Sequence, residues 1–355
     1  MEIKIEKREA VFSHQMGIAT VIPRTFWCAS IFPTRILFFR RKTFLDMEKK
    51  EFFLDLKGPW KNFTIQQDLE KDRIVVFGES SSYFRYSVFE KNGSICIHFE
   101  KTPKEGIYLP ALGRIVLASE EVCLEIPEDP IGDASHEILS LGMHKALDVE
   151  LMNRRKDLRE ILPLWFHLGS VVPPCVGTTG TSSLFTDLES SYKEKRKDKV
   201  EKTFFLLWNV AFSGMLVPSL EDNLFQGILE KGSVAPDDSP FAILYKGKEW
   251  IRSLFFQSHK NRISLLPLRL SPLWCGKMGN LSSEMGLLHM EWTKKRLRRV
   301  IFCAHKDGEI VWDFPSDVES YRVRMNRKDR GRVYLPGDKL TVQKSKTYFL
   351  DHFQK

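Results

Sequence analysis

The chain has 355 residues, of which 43% are hydrophobic and 28% are charged, and its net charge is +8 at pH 7. This composition is typical of a globular protein, and it excludes a disordered, collagen-like or membrane-dominated chain. The length suits two or three domains of about 100–200 residues each. The charge is uneven, because residues 262–355 hold 19 Lys/Arg against 10 Asp/Glu. Such an excess is compatible with a polyanionic partner or with a well-solvated surface.

Residues 1–46 show neither a helical nor a strand period, and we expect an irregular N-terminal extension there. Either this segment is an over-called start that precedes a natural N-terminus at Met47, or it is a genuine basic and aromatic tail. Its apolar run is broken by Pro23, Arg24, Pro33 and Arg35. Because charged residues are costly in lipid, we predict no membrane span.

Residues 47–130 are predicted to form an antiparallel β domain. Apolar residues alternate on both sides of Asn92 and Gly93, and this dipeptide is the strongest short-range hairpin signal. Residues 131–250 are predicted to be helical, beginning with 136–170, where apolar residues recur at intervals of three and four. Strand patterns return over 251–355, with a basic turn at 294–296 and a second hairpin signal at Asp307 and Gly308.

The expected fold is therefore α+β, with an N-terminal antiparallel β-sandwich, a short helical middle and a C-terminal antiparallel β-sandwich. Six cysteines lie far apart without metal-binding spacing, and we expect reduced thiols in a cytoplasmic protein. They are Cys28, Cys96, Cys123, Cys175, Cys275 and Cys303.

One segment, residues 263–292, carries glycines and tryptophans at spaced positions after a Leu-Leu-Pro step. The positions that form this pattern are Leu265, Leu266, Pro267, Trp274, Gly276, Gly279, Leu281, Gly286 and Trp292. It resembles the C-terminal β domain of (α/α)6-barrel glycoside hydrolases of the bacterial α-L-fucosidase type. In that interpretation the glycines permit tight turns, and the tryptophans are buried where the sheet meets the helices.

The resemblance implies a carbohydrate-related protein, but it covers only about 90 residues and includes no catalytic residue of that family. A complete barrel of twelve helices does not fit between Asp133 and Trp250. We therefore expect the usual catalytic pair of carboxylates to be missing, and the sequence does not decide whether the protein is an enzyme.

Two groups of side chains are candidates for binding. His144 and Asp148 are four residues apart, and with Arg154 and Arg155 they could line a pocket beside the helices, or simply form surface ion pairs. The basic residues near the C-terminus could instead contact a polyanion, or they could be solvated turns. These are Lys294, Lys295, Arg296, Arg298, Arg327, Lys328 and Arg330.

The functional hypotheses are thus a glycan-related protein and, as the alternative, a non-enzymatic scaffold with a basic C-terminal face. No Walker, GxGxxG, GxSxG or HExxH motif is present, and we expect neither cofactor nor metal. The sequence does not indicate an oligomeric state.

Overall fold

A computed structural model describes residues 3–5, 9–125, 137–142, 146–223, 226–229, 234–326 and 328–354. It confirms the α+β class, with antiparallel sheets at both ends of the chain and helices between them. A single hydrophobic cluster runs through all three regions. Within the described residues, no helix has the length and apolar character needed to cross a membrane.

The N-terminal region contains twelve strands. They are β1 (Ala10–Ser13), β2 (Ala19–Val21), β3 (Trp27–Phe32), β4 (Arg35–Arg40), β5 (Lys49–Phe53), β6 (Lys61–Asp68), β7 (Arg73–Glu79), β8 (Tyr83–Lys91), β9 (Ser94–Lys101), β10 (Ile107–Leu109), β11 (Arg114–Val116) and β12 (Glu120–Glu125). A four-stranded sheet, β2-β3-β4-β5, lies against a larger sheet that contains β12-β9-β8-β7-β6-β1. The buried Gln67 side chain joins the two sheets, because it accepts from Thr20 and donates to the Val21 carbonyl.

The irregular extension that we expected over residues 1–46 is wrong for the described part of that segment. Strands β1 to β4 all lie within it, and β1 pairs with β6 inside the larger sheet. Strand β3 is hidden on both faces, since Trp27, Cys28, Ala29 and Ile31 are all buried. A strand that is buried on both faces shows no alternation, and for that reason the period-two signal was missing.

The middle region contains all five of the α-helices among the described residues. Its elements are β13 (Ile138–Ser140), β14 (Leu147–Asp148), α1 (Val149–Arg155), α2 (Leu158–Ser170), α3 (Leu184–Lys193), α4 (Lys197–Ala211), β15 (Phe212–Ser213), β16 (Val217–Pro218) and α5 (Ala242–Phe255). A short helical middle suggests a helical bundle, but a bundle is not evident among the described helices. The predicted helix over 136–170 also begins too early, because β13 pairs with the C-terminal sheet and β14 pairs in parallel with β1.

The C-terminal region contains ten strands. They are β17 (Phe256–His259), β18 (Arg262–Leu265), β19 (Cys275–Ser283), β20 (Gly286–Thr293), β21 (Arg296–Ala304), β22 (Gly308–Asp313), β23 (Ser320–Arg324), β24 (Arg332–Tyr334), β25 (Lys339–Val342) and β26 (Thr347–Gln354). They form two sheets, β13-β19-β20-β21-β26-β23-β24 and β17-β18-β22-β25. The hairpin predicted at Asp307 and Gly308 is wrong, since β21 and β22 lie in different sheets.

The glycine and tryptophan segment forms the hairpin of β19 and β20. Trp292 is buried, its indole lies 4.9 Å from the Phe255 ring of α5, and its Nε1 donates to the Leu273 carbonyl. Gly276 was expected to permit a tight turn, but its backbone is not left-handed. Glycine is needed there because a Cβ would lie 2.5 Å from the Trp292 ring. Trp274 departs from the expectation of burial, since it is 45% exposed.

Cys96 and Cys123 form a disulfide, so the expectation of reduced thiols is wrong for this pair. They are direct partners in the antiparallel pairing of β9 with β12, and their Cα atoms are 4.0 Å apart. The other four cysteines are free thiols. Burial raises the pKa of Cys28 to about 12, which keeps that thiol protonated at neutral pH.

Candidate functional site

Helix α5 presents one buried face and one polar face, and its polar face carries the candidate site. Ile243, Leu244, Ile251, Leu254 and Phe255 are buried at helical spacing. Aromatic, charged and hydroxyl side chains lie at the positions between them, on the other side of the helix. These are Tyr245, Lys246, Glu249, Trp250, Arg252 and Ser253.

The position of α5 is fixed by its close crossing with α2. A Cβ on Gly247 would lie 2.2 Å from Nε1 of Trp165, and one on Gly169 would lie 2.4 Å from the Leu244 carbonyl oxygen. The Trp165 indole donates to the Ile243 carbonyl at 3.0 Å. Both glycines are therefore needed for the approach of the two helices, and this contact holds the polar face of α5 outward.

Two cavities adjoin along this polar face. The first, of about 290 Å³, lies between α5 and α3, and its lining includes Tyr245, Trp250, Glu189, Glu249, Thr178 and Lys246. The second, of about 500 Å³, lies between α5 and the strands that follow it. Glu249 lines both cavities, so they adjoin at this residue, and we call the two together the α5 groove.

The Trp250 ring is held in place by Tyr192 of α3. The two ring centroids are 5.6 Å apart, and the Tyr192 hydroxyl donates to the Ser253 carbonyl at 2.8 Å. Burial raises the pKa of Tyr192 to about 12, so the hydroxyl stays protonated and keeps this hydrogen bond at neutral pH. Trp250 is thus a pre-positioned aromatic surface at the edge of the groove.

The charges of the second cavity are largely paired. Arg252 forms a bidentate ion pair with Glu137, and Nε of Arg262 lies 3.3 Å from a carboxylate oxygen of Asp313. In the first cavity Glu189 pairs with Lys193 at 2.6 Å, while Glu249 is 56% exposed and lies 3.9 Å from Lys248. The groove therefore offers aromatic faces, hydroxyls and solvated carboxylates, and it carries no strong excess of either charge.

One wall of the first cavity is a loop that is shaped by Asp238. Its carboxylate accepts from the amides of Thr178 and Thr179, each at 2.8 Å, and from the Thr179 hydroxyl at 2.6 Å. Lys246 donates to the Gly177 carbonyl in the same loop. The loop amides that would suit a phosphate are thus bound to a carboxylate of the chain itself. Although burial opposes ionisation of Asp238, these hydrogen bonds hold its pKa below its usual range.

Replacing Asp238 by Asn is expected to lower the free energy of unfolding at pH 7 by about 1.5–3 kcal/mol, because hydrogen bonds to a charged acceptor contribute about that much. The folded-state pKa of Asp238 is depressed, so its stabilisation is present above about pH 4 and is lost as the pH falls through the folded pKa. Urea unfolding at pH 7 and pH 3 checks this. The difference between the two proteins should shrink in acid, and a constant difference would contradict the role of Asp238. Asp237→Asn, which changes an exposed neighbour, is the control.

The pocket predicted around His144, Asp148, Arg154 and Arg155 stays a prediction, and the structure describes three of its four residues. Asp148 is the N-cap of α1, where its carboxylate accepts from the amides of Glu150 and Leu151. His144 itself lies outside the described residues. Arg154 is exposed, and Arg155 pairs with the buried Glu160. None of Asp148, Arg154 or Arg155 lines the α5 groove.

The two basic clusters lie at opposite ends of the C-terminal sheet. Lys294 and Lys295 form the turn before β21, and Arg296 and Arg298 follow in that strand. Lys328 and Arg330 connect β23 to β24, beyond the level at which Phe349 pairs with Ile301. The basic turn lies at the start of β21, at Arg296. Five residues of that strand separate Arg296 from Ile301, which is a distance of about 17 Å. Arg327 lies outside the described residues, so the described basic residues form two patches and do not share one face.

The α5 groove was not predicted, although the sequence contains a signal for its polar face. Tyr245, Lys246, Glu249 and Trp250 alternate with the buried Ile243, Leu244 and Ile251 at helical spacing. A boundary at residue 250 divides this helix, because α5 continues to Phe255. The polar face was therefore not considered as one surface.

Comparison with known proteins provides no relative for this chain: no protein-family model matches it, and no curated protein matches it.

Proposed function

We propose that this chain is a carbohydrate-binding protein and that the α5 groove is its binding site. The observation that carries the proposal is the pair of adjoining cavities that share Glu249, with the rings of Tyr245 and Trp250 on the wall of the first. A sugar presents an apolar face of C–H groups and a rim of hydroxyls. Aromatic rings match the first, and carboxylates and hydroxyls match the second.

The size and shape of the groove favour an extended ligand. The two cavities follow one another along α5 and measure about 290 and 500 Å³. Ligand sites for small molecules are about 300–1,000 Å³, so the joined groove suits several sugar units. Its exposed carboxylates can accept hydrogen bonds from sugar hydroxyls without the cost of burying a charge.

A distant relationship to the six-hairpin glycoside hydrolases is also part of this proposal. In its favour, the glycine and tryptophan segment forms a hairpin whose Trp292 packs on the buried face of α5. Against it, Trp274 is half exposed and the middle region is short and includes strands. Glu189 and Glu249 are the two carboxylates of the first cavity, and we assign them to binding.

The alternative, a scaffold that contacts polyanions through a basic C-terminal face, is less well supported. The described basic residues lie at both ends of the sheet, and a polyanion would need contacts at both ends to use them together. Each patch alone offers only a few unpaired cations, too few for strong binding at physiological salt.

A glycan array tests the proposal, with a salt-titrated nucleic-acid binding assay run in parallel. We expect saturable glycan binding that survives roughly 0.5 M salt, because contacts to sugar hydroxyls do not depend on counterion release. Trp250→Ala should weaken that binding about five-fold or more, since removing an aromatic anchor costs more than about 1 kcal/mol.

Trp274→Ala is the matched control, because Trp274 is an exposed tryptophan that does not line the groove. Equal losses in the two variants would place the site elsewhere. Binding to polyanions alone, with loss at high salt, would favour the scaffold hypothesis over the carbohydrate one.

A cytoplasmic location remains a prediction. An intact bond between Cys96 and Cys123 in protein isolated from its own cells, with free thiols trapped at lysis, would indicate an oxidising compartment instead.

A further inference from the structure

The outer edge of the large N-terminal sheet carries a second group of chemically active side chains, remote in sequence from the α5 groove. Strand β12 is the edge strand and pairs with β9 in continuous register. Cys123 is the direct partner of Cys96, and Glu121 is the direct partner of His98. Residues two apart on a strand point to the same side, so all four side chains share one face of the sheet.

Three of these side chains already lie close together. The sulfur atoms of Cys96 and Cys123 and a carboxylate oxygen of Glu121 all lie within 4.8 Å of one another. Cys123 is exposed, which gives a reductant access to the disulfide. The strand pairing holds the groups in place without the disulfide, because the backbone ladder of β9 and β12 and the buried Ile97 and Val122 remain.

We infer that reduction of this disulfide creates a binding site for a thiophilic divalent cation such as Zn²⁺. The ligands are the thiolates of Cys96 and Cys123, a carboxylate oxygen of Glu121 and the imidazole of His98. Zinc prefers four such ligands in a tetrahedron, with thiolate sulfurs at about 2.3 Å. Two positions on one strand and two opposite positions on its neighbour bring four ligands to one side of a sheet.

Formation of the site requires only a dithiol reductant, the cation and solvent. A dithiol reductant attacks the disulfide, gives up two electrons and two protons, and leaves with its own disulfide while Cys96 and Cys123 become thiols. The cation then displaces both thiol protons to solvent. Lys91 competes for the site, because its ammonium lies 2.6 Å from the Glu121 carboxylate and must move away when the cation binds.

Titration of the full-length protein with Co²⁺ tests the inference. The disulfide is first reduced by a trialkylphosphine, which takes its oxygen from water to become the phosphine oxide, and excess reductant is removed under argon. We expect one Co²⁺ per chain, with thiolate-to-cobalt charge-transfer absorption that Zn²⁺ abolishes. The oxidised protein should show neither signal. It is a folded control that carries no mutation.

Variants separate the site from adventitious thiol binding. Cys123→Ser should abolish the two-thiolate spectrum, and Cys275→Ser, which removes a partly exposed cysteine elsewhere, should leave it unchanged. Glu121→Gln and His98→Ala should each weaken Co²⁺ binding by about ten-fold or more, because even indirect partners of metal ligands contribute about that much. Lys91→Met should strengthen it.

The inference is overturned if the reduced protein shows no charge-transfer absorption, or if the spectrum persists in Cys123→Ser. Unchanged affinity in His98→Ala or in Glu121→Gln would overturn the four-ligand site. None of these results depends on whether the α5 groove binds a glycan.

Discussion

Replacing Arg252 by Met is expected to lower the free energy of unfolding by about 3–5 kcal/mol, because it removes one partner of a buried ion pair with Glu137. Glu137 is 6% exposed, and its carboxylate accepts hydrogen bonds from Nε and Nη2 of Arg252 at 2.9–3.1 Å. It also accepts from the Ser282 amide, while Arg252 donates to the Ser282 carbonyl. The pair therefore ties α5 to β13 and β19, and urea unfolding followed by circular dichroism measures its loss.

Two further proteins distinguish a lost ion pair from a lost side chain. Arg262→Met removes an exposed arginine of the same cavity, which pairs with the partly exposed Asp313, and we expect a cost below about 1 kcal/mol. The double variant Glu137→Met with Arg252→Met should recover part of the stability lost in Arg252→Met, because no charge is then left buried. Equal effects of Arg252→Met and Arg262→Met would refute the structural role of the pair.

Replacing Trp292 by Ala is expected to lower the free energy of unfolding by about 3–5 kcal/mol, the usual cost of removing a buried tryptophan. Its indole fills the space between the C-terminal sheet and α5, where it contacts Phe255 and lies beneath Gly276. Loss of the ring also leaves the Leu273 carbonyl without its donor. Denaturant unfolding followed by circular dichroism measures this effect as well.

Trp274→Ala is the control for that experiment, since it removes the other tryptophan of the same segment. Trp274 is 45% exposed, and surface substitutions usually change stability by less than about 0.5 kcal/mol. Gly276→Val should destabilise the protein in the same sense as Trp292→Ala, because its side chain would collide with the indole. Similar stability of the Trp274→Ala and Trp292→Ala proteins would contradict the packing described here.

The parts of the fold that the sequence predicted are those decided by local chemistry. The hairpin of β8 and β9 turns at Asn92 and Gly93, both with the left-handed backbone that such turns require. The hairpin of β20 and β21 was likewise predicted from its basic turn. These turns lie between strands with one buried face, so the alternation of apolar residues was visible.

The parts that were not predicted depend on contacts between distant residues. Strand β13 has three residues and exists because it pairs with β19, some 140 residues further along the chain. Strand β3 lacks alternation because both of its faces are covered, whereas β4 buries one face and carries the apolar Leu37 and Phe39 on the other, half-buried face. Asp307 does lie between strands β21 and β22, but the two strands belong to different sheets and form no hairpin.

The candidate site could be predicted only in fragments. The helical spacing of Tyr245, Glu249 and Trp250 indicates one exposed face, but the groove exists because α3 and β18 lie opposite. Asp148 directly precedes a helix and is followed by Glu150, which is the pattern of an N-cap rather than of a proton-transfer pair. The pairing of Cys96 with Cys123 depends on the strand register and could not be deduced from spacing.

Amide hydrogen exchange of the full-length protein, with and without the oligosaccharide that binds best on the array, tests the central claim most directly. Binding in the α5 groove predicts slower exchange over residues 244–258 and in the loop at 177–179, with no change at 294–299 or 328–332. Protection confined to the two basic segments, or no protection along α5 at saturating sugar, would contradict the assignment of this groove as the carbohydrate site.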